Sequence, residues 1–271
     1  MIGRRMSSVS ASIACAIALV LGWLGSGVQA QRPDAAGVLA AARAALGGDR
    51  TLSAVRTFSA TGVIRQVRGE LVVLTAFVVS CELPDKYARR EEVPATVSGA
   101  TVSGFNAGDL ILDPSPAAVL TEAARSSRVT ALKLDFARLT IGMFAASFQG
   151  FPLTFMHAGS AEAPQGKADV LDVRGPNGFI ARLFVSADTH VPLMLSWRVP
   201  AAGGPRGAPP AAPVEHRLYY ADYRPVGGVR LPFRLRRAVG SDTIEELQFD
   251  KYTINPAIDP RTFRVLPRRI P

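Results

Sequence analysis

A chain of 271 residues with 48% hydrophobic and 20% charged residues has ample material for a core, which excludes global disorder. Its formal charge of +9 is scattered along the chain rather than gathered in one helix or tail. No nucleic-acid recognition motif accompanies that charge, which argues against nucleic acid as a partner and leaves solubility or attraction to anionic surfaces such as phospholipid headgroups.

The first thirty residues follow a pattern of their own. Arg4 and Arg5 precede a short apolar run over residues 13–21, and Val28-Gln29-Ala30 places small residues before Gln31. Basic start, apolar middle and small-residue exit define a secretory signal peptide over residues 1–30, with cleavage after Ala30 and delivery to the periplasm. The run is short for a membrane span of about 20 residues. Loss of Arg4 and Arg5 leaves a mature charge of about +7. Arg4-Arg5 raises twin-arginine export, but Met6-Ser7-Ser8 lacks the rest of that pattern, and the general secretory route stays open beside it. Ser12-Ile13-Ala14 is a poor lipobox for Cys15. After cleavage Cys81 has no partner for an internal disulfide, and its place at the end of an apolar strand reads as a buried, inert thiol.

The mature chain starts with a predicted helix over residues 34–46. Asp34 can cap it, Val38, Leu39, Ala42 and Leu46 share a face, and Gly47-Gly48 stops it. Residues 57–68 and 70–83 read as a hairpin around Gly69. Its second strand is apolar on both faces, with Leu71, Val73, Phe77 and Val79 on one and Val72, Leu74, Ala76 and Val78 on the other. Such a strand calls for cover on both sides. Two readings satisfy this: a central strand under a helix, or a strand with one side on a lipid-sized cavity. Leu83-Pro84-Asp85 marks a turn into a charged strand, and residues 100–105 and 110–112 form a further pair around Asn106-Ala107-Gly108-Asp109. Residues 119–128 are predicted as a short helix. Residues 130–148 are predicted as a stronger one, its apolar face carrying Leu132, Leu134, Phe136, Leu139, Met143 and Phe144. That helix serves either as core or as a lid.

From Phe151 onward the chain is β. Strands are predicted over residues 151–159, 168–174, 179–186, 193–199, 214–224, 229–239 and 243–254, joined mostly by turns short enough for antiparallel neighbours. Val229-Arg230-Leu231-Pro232-Phe233-Arg234-Leu235-Arg236 is the clearest, with unbroken apolar–polar alternation. The exception among the connections is a Gly/Pro/Ala loop at residues 201–213. The fold class expected is α+β and mainly β: a single curved antiparallel sheet, with helices on its concave face, over residues 31–271.

The search for chemistry finds little. His157, His190 and His216 have no metal-ligand spacing, and Glu91-Glu92 and Glu245-Glu246 point to opposite faces of their strands. No phosphate-binding loop, dinucleotide fingerprint or serine elbow is present. The expectation is therefore no catalytic residue, no metal and no cofactor. Arg230, Arg234 and Arg236 share a polar face, with Arg237 beside them. They read either as a solvated face paired to Glu245 or Glu246, or as an anionic docking surface. Tyr219, Tyr220, Tyr223 and Tyr252 read as core edges or as the rim of an apolar pocket.

Several stretches together resemble the periplasmic outer-membrane lipoprotein carrier (LolA-like) superfamily. They are residues 41–48 running into 57–67, Leu83-Pro84-Asp85-Lys86-Tyr87, Gly104-Phe105-Asn106-Ala107-Gly108-Asp109, Tyr223-Arg224-Pro225-Val226-Gly227-Gly228-Val229-Arg230-Leu231-Pro232, and Lys251-Tyr252-Thr253-Ile254-Asn255-Pro256. The resemblance implies a half-barrel whose concave side is plugged by helices and takes acyl chains. The expected function is a non-enzymatic periplasmic binder of lipid or lipoprotein acyl chains, with an envelope sensor or interaction module as the alternative. Val73, Phe77, Leu132, Phe136, Leu139, Met143, Leu231 and Phe233 are the candidate cavity and lid residues. Expected partners are lipid or acylated protein, and envelope proteins or a membrane surface.

Overall fold

The structure is a computed structural model that describes residues 34–69, 71–92, 99–114, 119–148, 150–163, 166–200 and 212–265. The signal peptide expected over residues 1–30, and residues 201–211 of the Gly/Pro/Ala loop, lie outside the described residues. All described residues belong to one of the chain's two units, Pro33–Pro271.

Helix α1 (Ala35–Ala45) begins where Asp34 accepts a hydrogen bond from the Gly37 amide. It ends in a paired C-terminal cap: the Gly48 amide donates to Arg43 O (2.8 Å) and the Gly47 amide to Ala44 O (3.2 Å). Gly47 has φ 130°, and a Cβ there would overlap the Gly228 carbonyl, so the cap seats directly on the Gly227-Gly228 turn. The Arg230 amide completes the junction by donating to Leu46 O at 2.8 Å. A short helix α2 (Asp49–Ser53) follows.

Strands β1 (Thr57–Arg68), β2 (Leu71–Glu82), β3 (Lys86–Glu92), β4 (Ala100–Asn106) and β5 (Asp109–Asp113) form a meander. Helix α3 (Glu122–Phe144) then crosses to the other edge of the same sheet. From there β6 (Thr154–Ala163), β7 (Gly166–Arg174), β8 (Ile180–Ser186), β9 (Pro192–Val199), β10 (Val214–Val226), β11 (Val229–Val239) and β12 (Asp242–Ile254) return strand by strand until β12 pairs with β1. The result is a 12-stranded antiparallel sheet in the order β5-β4-β3-β2-β1-β12-β11-β10-β9-β8-β7-β6. It is curved and not closed, as the sequence implied: β5 and β6 are its edges, and α3 bridges between them.

Two predictions are corrected. The helices expected over residues 119–128 and 130–148 are one helix, α3, capped by the Thr121 hydroxyl on the Ala124 amide. It stops early because Ala145 adopts a left-handed conformation, φ 46°. The second correction concerns β2. Its outward residues Val72, Leu74, Ala76 and Val78 are exposed, so among the described residues neither a helix nor a cavity wall covers that face.

Helix α3 is held by rings and hydroxyls. Phe136 packs on Tyr87 of β3 and Phe105 of β4, and Phe144 packs on Phe58 of β1. Tyr220 donates its hydroxyl to Arg138 O at 2.5 Å, and Tyr223 donates to Gly142 O at 2.8 Å. Gly142 lies in the last turn, where carbonyls lack a helical partner, so the Tyr223 hydroxyl satisfies it. A Cβ at Gly142 would fall inside the Tyr220 ring, which explains a glycine in the helix despite its cost of about 1 kcal/mol there. On the opposite face a small cluster of Ala88, Ile111 and Phe263 forms where the turn Pro260–Phe263 folds back over the sheet.

Candidate functional site

A cavity of about 660 Å³ lies between α1, the end of α3, the β2–β3 turn and the start of β6. Its apolar walls are Leu39, Leu52, Val55, Leu83, Leu153 and Phe155, closed on the α3 side by Phe144 and Phe148. Those two rings meet edge to face at 5.9 Å. The local reason for the cavity is the left-handed Ala145, which ends α3 before it would fill the space and turns residues 145–148 along the wall. Arg43 stitches the cavity's two helical sides together: it pairs with Asp49 and donates to the Phe144 carbonyl at 3.1 Å. That carbonyl is at the C-terminus of α3, where a cation is favoured. Arg56 lines the cavity with an exposed side chain.

A second feature is a charged cluster set among the packed residues. Alternation along β3 puts Arg89 and Glu91 on the face that carries Tyr87, and β12 brings Glu245 to them. Arg89 is paired with Glu91 and lies 3.5 Å from Glu245, which is 3.6 Å from Arg237. Arg237 in turn lies 3.7 Å from Asp135 of α3, and Asp135 accepts from Arg138 at 2.8 Å. The Arg138 guanidinium stacks over Trp197 at 4.3 Å. Three arginines thus face three carboxylates, a balanced network that ties α3 to β3, β11 and β12. Tyr87 beside it is pushed up to about 12, chiefly by burial, with Arg89 pulling the other way. The network holds no nucleophile poised beside a base. Among the described residues no group of three His, Cys, Asp or Glu side chains is arranged to hold a metal ion.

His216 packs against Trp197 at 5.5 Å, next to this network. Burial, then the positive charges of Arg237 and Arg138, lower its pKa below the usual 6.5. A histidine depressed in this way favours folding while neutral. Its contribution is present above the unfolded pKa and is lost as pH falls through the folded one. NMR titration should place the His216 midpoint below 6.5, and the His216→Gln variant should show a shallower loss of stability with acid than the parent.

The predicted site residues fall in several places. Phe77, Phe136, Met143, Leu231 and Phe233 are buried in the core, and Val73, Leu132 and Leu139 are half-buried. None of the eight lines the 660 Å³ cavity. Arg230 and Arg234 are exposed and Arg236 is half-buried. Arg234 is paired with Glu246, while Arg236 stacks over Tyr219 at 4.2 Å. Tyr220, Tyr223 and Tyr252 are neither rim nor simple filler, since each spends its hydroxyl on a backbone carbonyl. Cys81 is fully buried and its thiol is pushed well up by desolvation. Sequence reasoning missed the cavity-lining Arg43 and Phe148 and the Arg89–Glu245–Arg237 chain. No local pattern marks them, because the contacts that place them, such as Arg43 to the Phe144 carbonyl and Arg89 to Glu245, join residues far apart in the sequence.

No protein-family model and no curated protein sequence matches the chain. Solved structures do resemble it. A LolA superfamily protein from Nitrosomonas europaea superposes with a TM-score of 0.55 at 13% identity, covering 85% of this chain and 97% of that one. A putative outer membrane lipoprotein-sorting protein domain from Vibrio parahaemolyticus gives 0.48 at 11% identity, covering 76% and 88%. A DUF1329 family protein from Desulfovibrio piger gives 0.46 at 8% identity, covering 85% and 97%. The fold of this chain is LolA-like.

Proposed function

We propose that this protein is an exported, non-enzymatic binder of lipid or lipoprotein acyl chains, working in the periplasm, and that the 660 Å³ cavity receives the chain. The carrying observation is that cavity: an open cleft with apolar side chains from α1, α2, α3 and β6 beside Arg43, Ser53, Arg56 and Ser147, of a size within the usual range of about 300–1,000 Å³ for ligand sites. The LolA-like architecture and the signal-peptide pattern of residues 1–30 support the same reading. In this reading α3 is the lid. An acyl chain meets Phe144 and Phe148 first, and displacement of the helix would uncover Phe136, Leu139 and Met143.

The test is displacement of a fluorescent fatty-acid probe by unlabelled fatty acids of increasing length, together with mass spectrometry of lipid extracted from the purified protein. Each added methylene buried in the cavity should tighten binding roughly fourfold, at about 0.8 kcal/mol per methylene. Leu39→Trp fills part of the cavity and should weaken probe binding roughly fifteenfold, equivalent to about two lost methylenes. Affinity independent of chain length, together with lipid-free protein, would refute the proposal.

A further inference from the structure

The end of the β1–β2 hairpin carries a run of apolar side chains, all but Leu71 on its outer face, that none of the described elements covers. Leu71 is 70% exposed, Leu74 53%, Val72 48%, Val63 39% and Val78 37%. Register makes them neighbours: Val63 lies opposite Ala76, Val67 opposite Val72, and Arg65 opposite Leu74. Toward the tip the exposure ceases to be one-sided. From Thr75 onward β2 alternates buried and exposed or half-buried, but Leu71, Val72 and Leu74 are all exposed. The described pairing of β3 with β2 ends at Ala76 opposite Glu92, and that of β12 with β1 ends at Gln66 opposite Glu245. The end of the hairpin therefore exposes apolar residues on both of its sides.

The end of the hairpin carries Arg65 and Arg68, with Glu70 following in the sequence. Arg65 is exposed and has no ion-pair or hydrogen-bond partner among the described residues. The carboxylates nearest in register are already engaged: Glu246, opposite Arg65, with Arg234, and Glu92, opposite Ala76, with Arg90. Lys and Arg outnumber Asp and Glu by 31 to 22 in the chain as a whole.

We propose that the β1–β2 hairpin docks the protein on an anionic phospholipid bilayer, with Leu71, Val72 and Leu74 entering the headgroup–acyl boundary and Arg65 at the phosphates. A flat protein partner would cover one side of the tip and leave the other wet. A fluid interface closes around both, and the unpaired guanidinium meets its negative surface. None of these residues lines the acyl cavity, so this surface stands or falls apart from that site.

The experiment is co-sedimentation with vesicles of phosphatidylglycerol and phosphatidylethanolamine, against vesicles of phosphatidylcholine alone. The protein should pellet with the anionic vesicles at low salt and be released as salt rises. The Leu71→Glu/Leu74→Glu variant should bind at least tenfold more weakly. The Met156→Glu/Ile180→Glu variant, altered at two 66%-exposed positions elsewhere in the sheet, should bind like the parent. All substituted side chains are exposed, so melting temperatures should agree, which separates lost docking from lost fold. Arg65→Glu should weaken binding and flatten its salt dependence. Failure of the parent to pellet with anionic vesicles, or equal binding by the Leu71/Leu74 variant, would overturn the proposal. So would a dimer in the parent that the double variant abolishes without change in vesicle binding, since the occupant would then be a second copy of the chain.

Discussion

Phe136→Ala should lower the free energy of unfolding by about 3–5 kcal/mol, read as a fall in the urea midpoint. Phe136 is 5% exposed and lies at the hub of an aromatic group, with centroids 5.4 Å from Tyr87, 5.6 Å from Phe105 and 6.1 Å from Phe148. Truncation removes the transfer free energy of the ring and leaves a hole that β3 and β4 on one side and α3 on the other are too constrained to close. Loss of the edge-to-face contact with Phe105 adds to that cost. Phe136→Leu keeps most of the volume and should cost far less, about 1.5 kcal/mol or under. A change below about 1 kcal/mol for the alanine variant would mean that α3 does not seat on β3 and β4 as described.

Glu245→Ala should cost about 3 kcal/mol at neutral pH, because it strands charge inside the protein. The Glu245 side chain is 11% exposed and lies within 3.6 Å of both Arg89 and Arg237. Each arginine keeps a second carboxylate, Glu91 for Arg89 and Asp135 for Arg237, which places the loss at the low end of the range for broken buried pairs. Glu245→Gln retains an acceptor and should lose less. The decisive comparison is the triple variant Arg89→Met/Glu245→Leu/Arg237→Met. Removing all three charges together should recover most of the stability lost by Glu245→Ala, since desolvated ion pairs contribute little net stability over apolar packing. A triple variant as unstable as the single one would show that hydrogen bonding, rather than charge balance, holds this region.

Much of the fold was legible because it is local. The alternation in Val229–Val239, the glycine stop after Leu46 and the short turns of the C-terminal half each reside in neighbouring residues, and each formed as read. The misreadings arose where local pattern underdetermines the outcome. Residues 122–128 are mostly polar and residues 129–144 carry the apolar face, so the sequence reads as two segments, and only the Thr121 cap and the left-handed Ala145 show that one helix runs through both. Period-2 apolarity on both faces of β2 predicts cover on both faces, but α1 and α3 lie on one side and the Pro260–Phe263 turn on the other packs on β3, β4 and β5, so the outer residues of β2 face solvent.

The sequence by itself determined the class: a mainly β chain most of whose strands must lie antiparallel because their connections are too short for anything else. Tertiary structure alone decided which residues meet. The cavity draws its walls from segments that start at Leu39 and end at Phe155, and the charged network joins Arg89 of β3 to Glu245 of β12 across β2 and β1. The physical reason is that the pairing of β1 with β12 and the crossing of α3 bring together side chains more than a hundred positions apart, and no periodicity within one strand or helix records such a meeting.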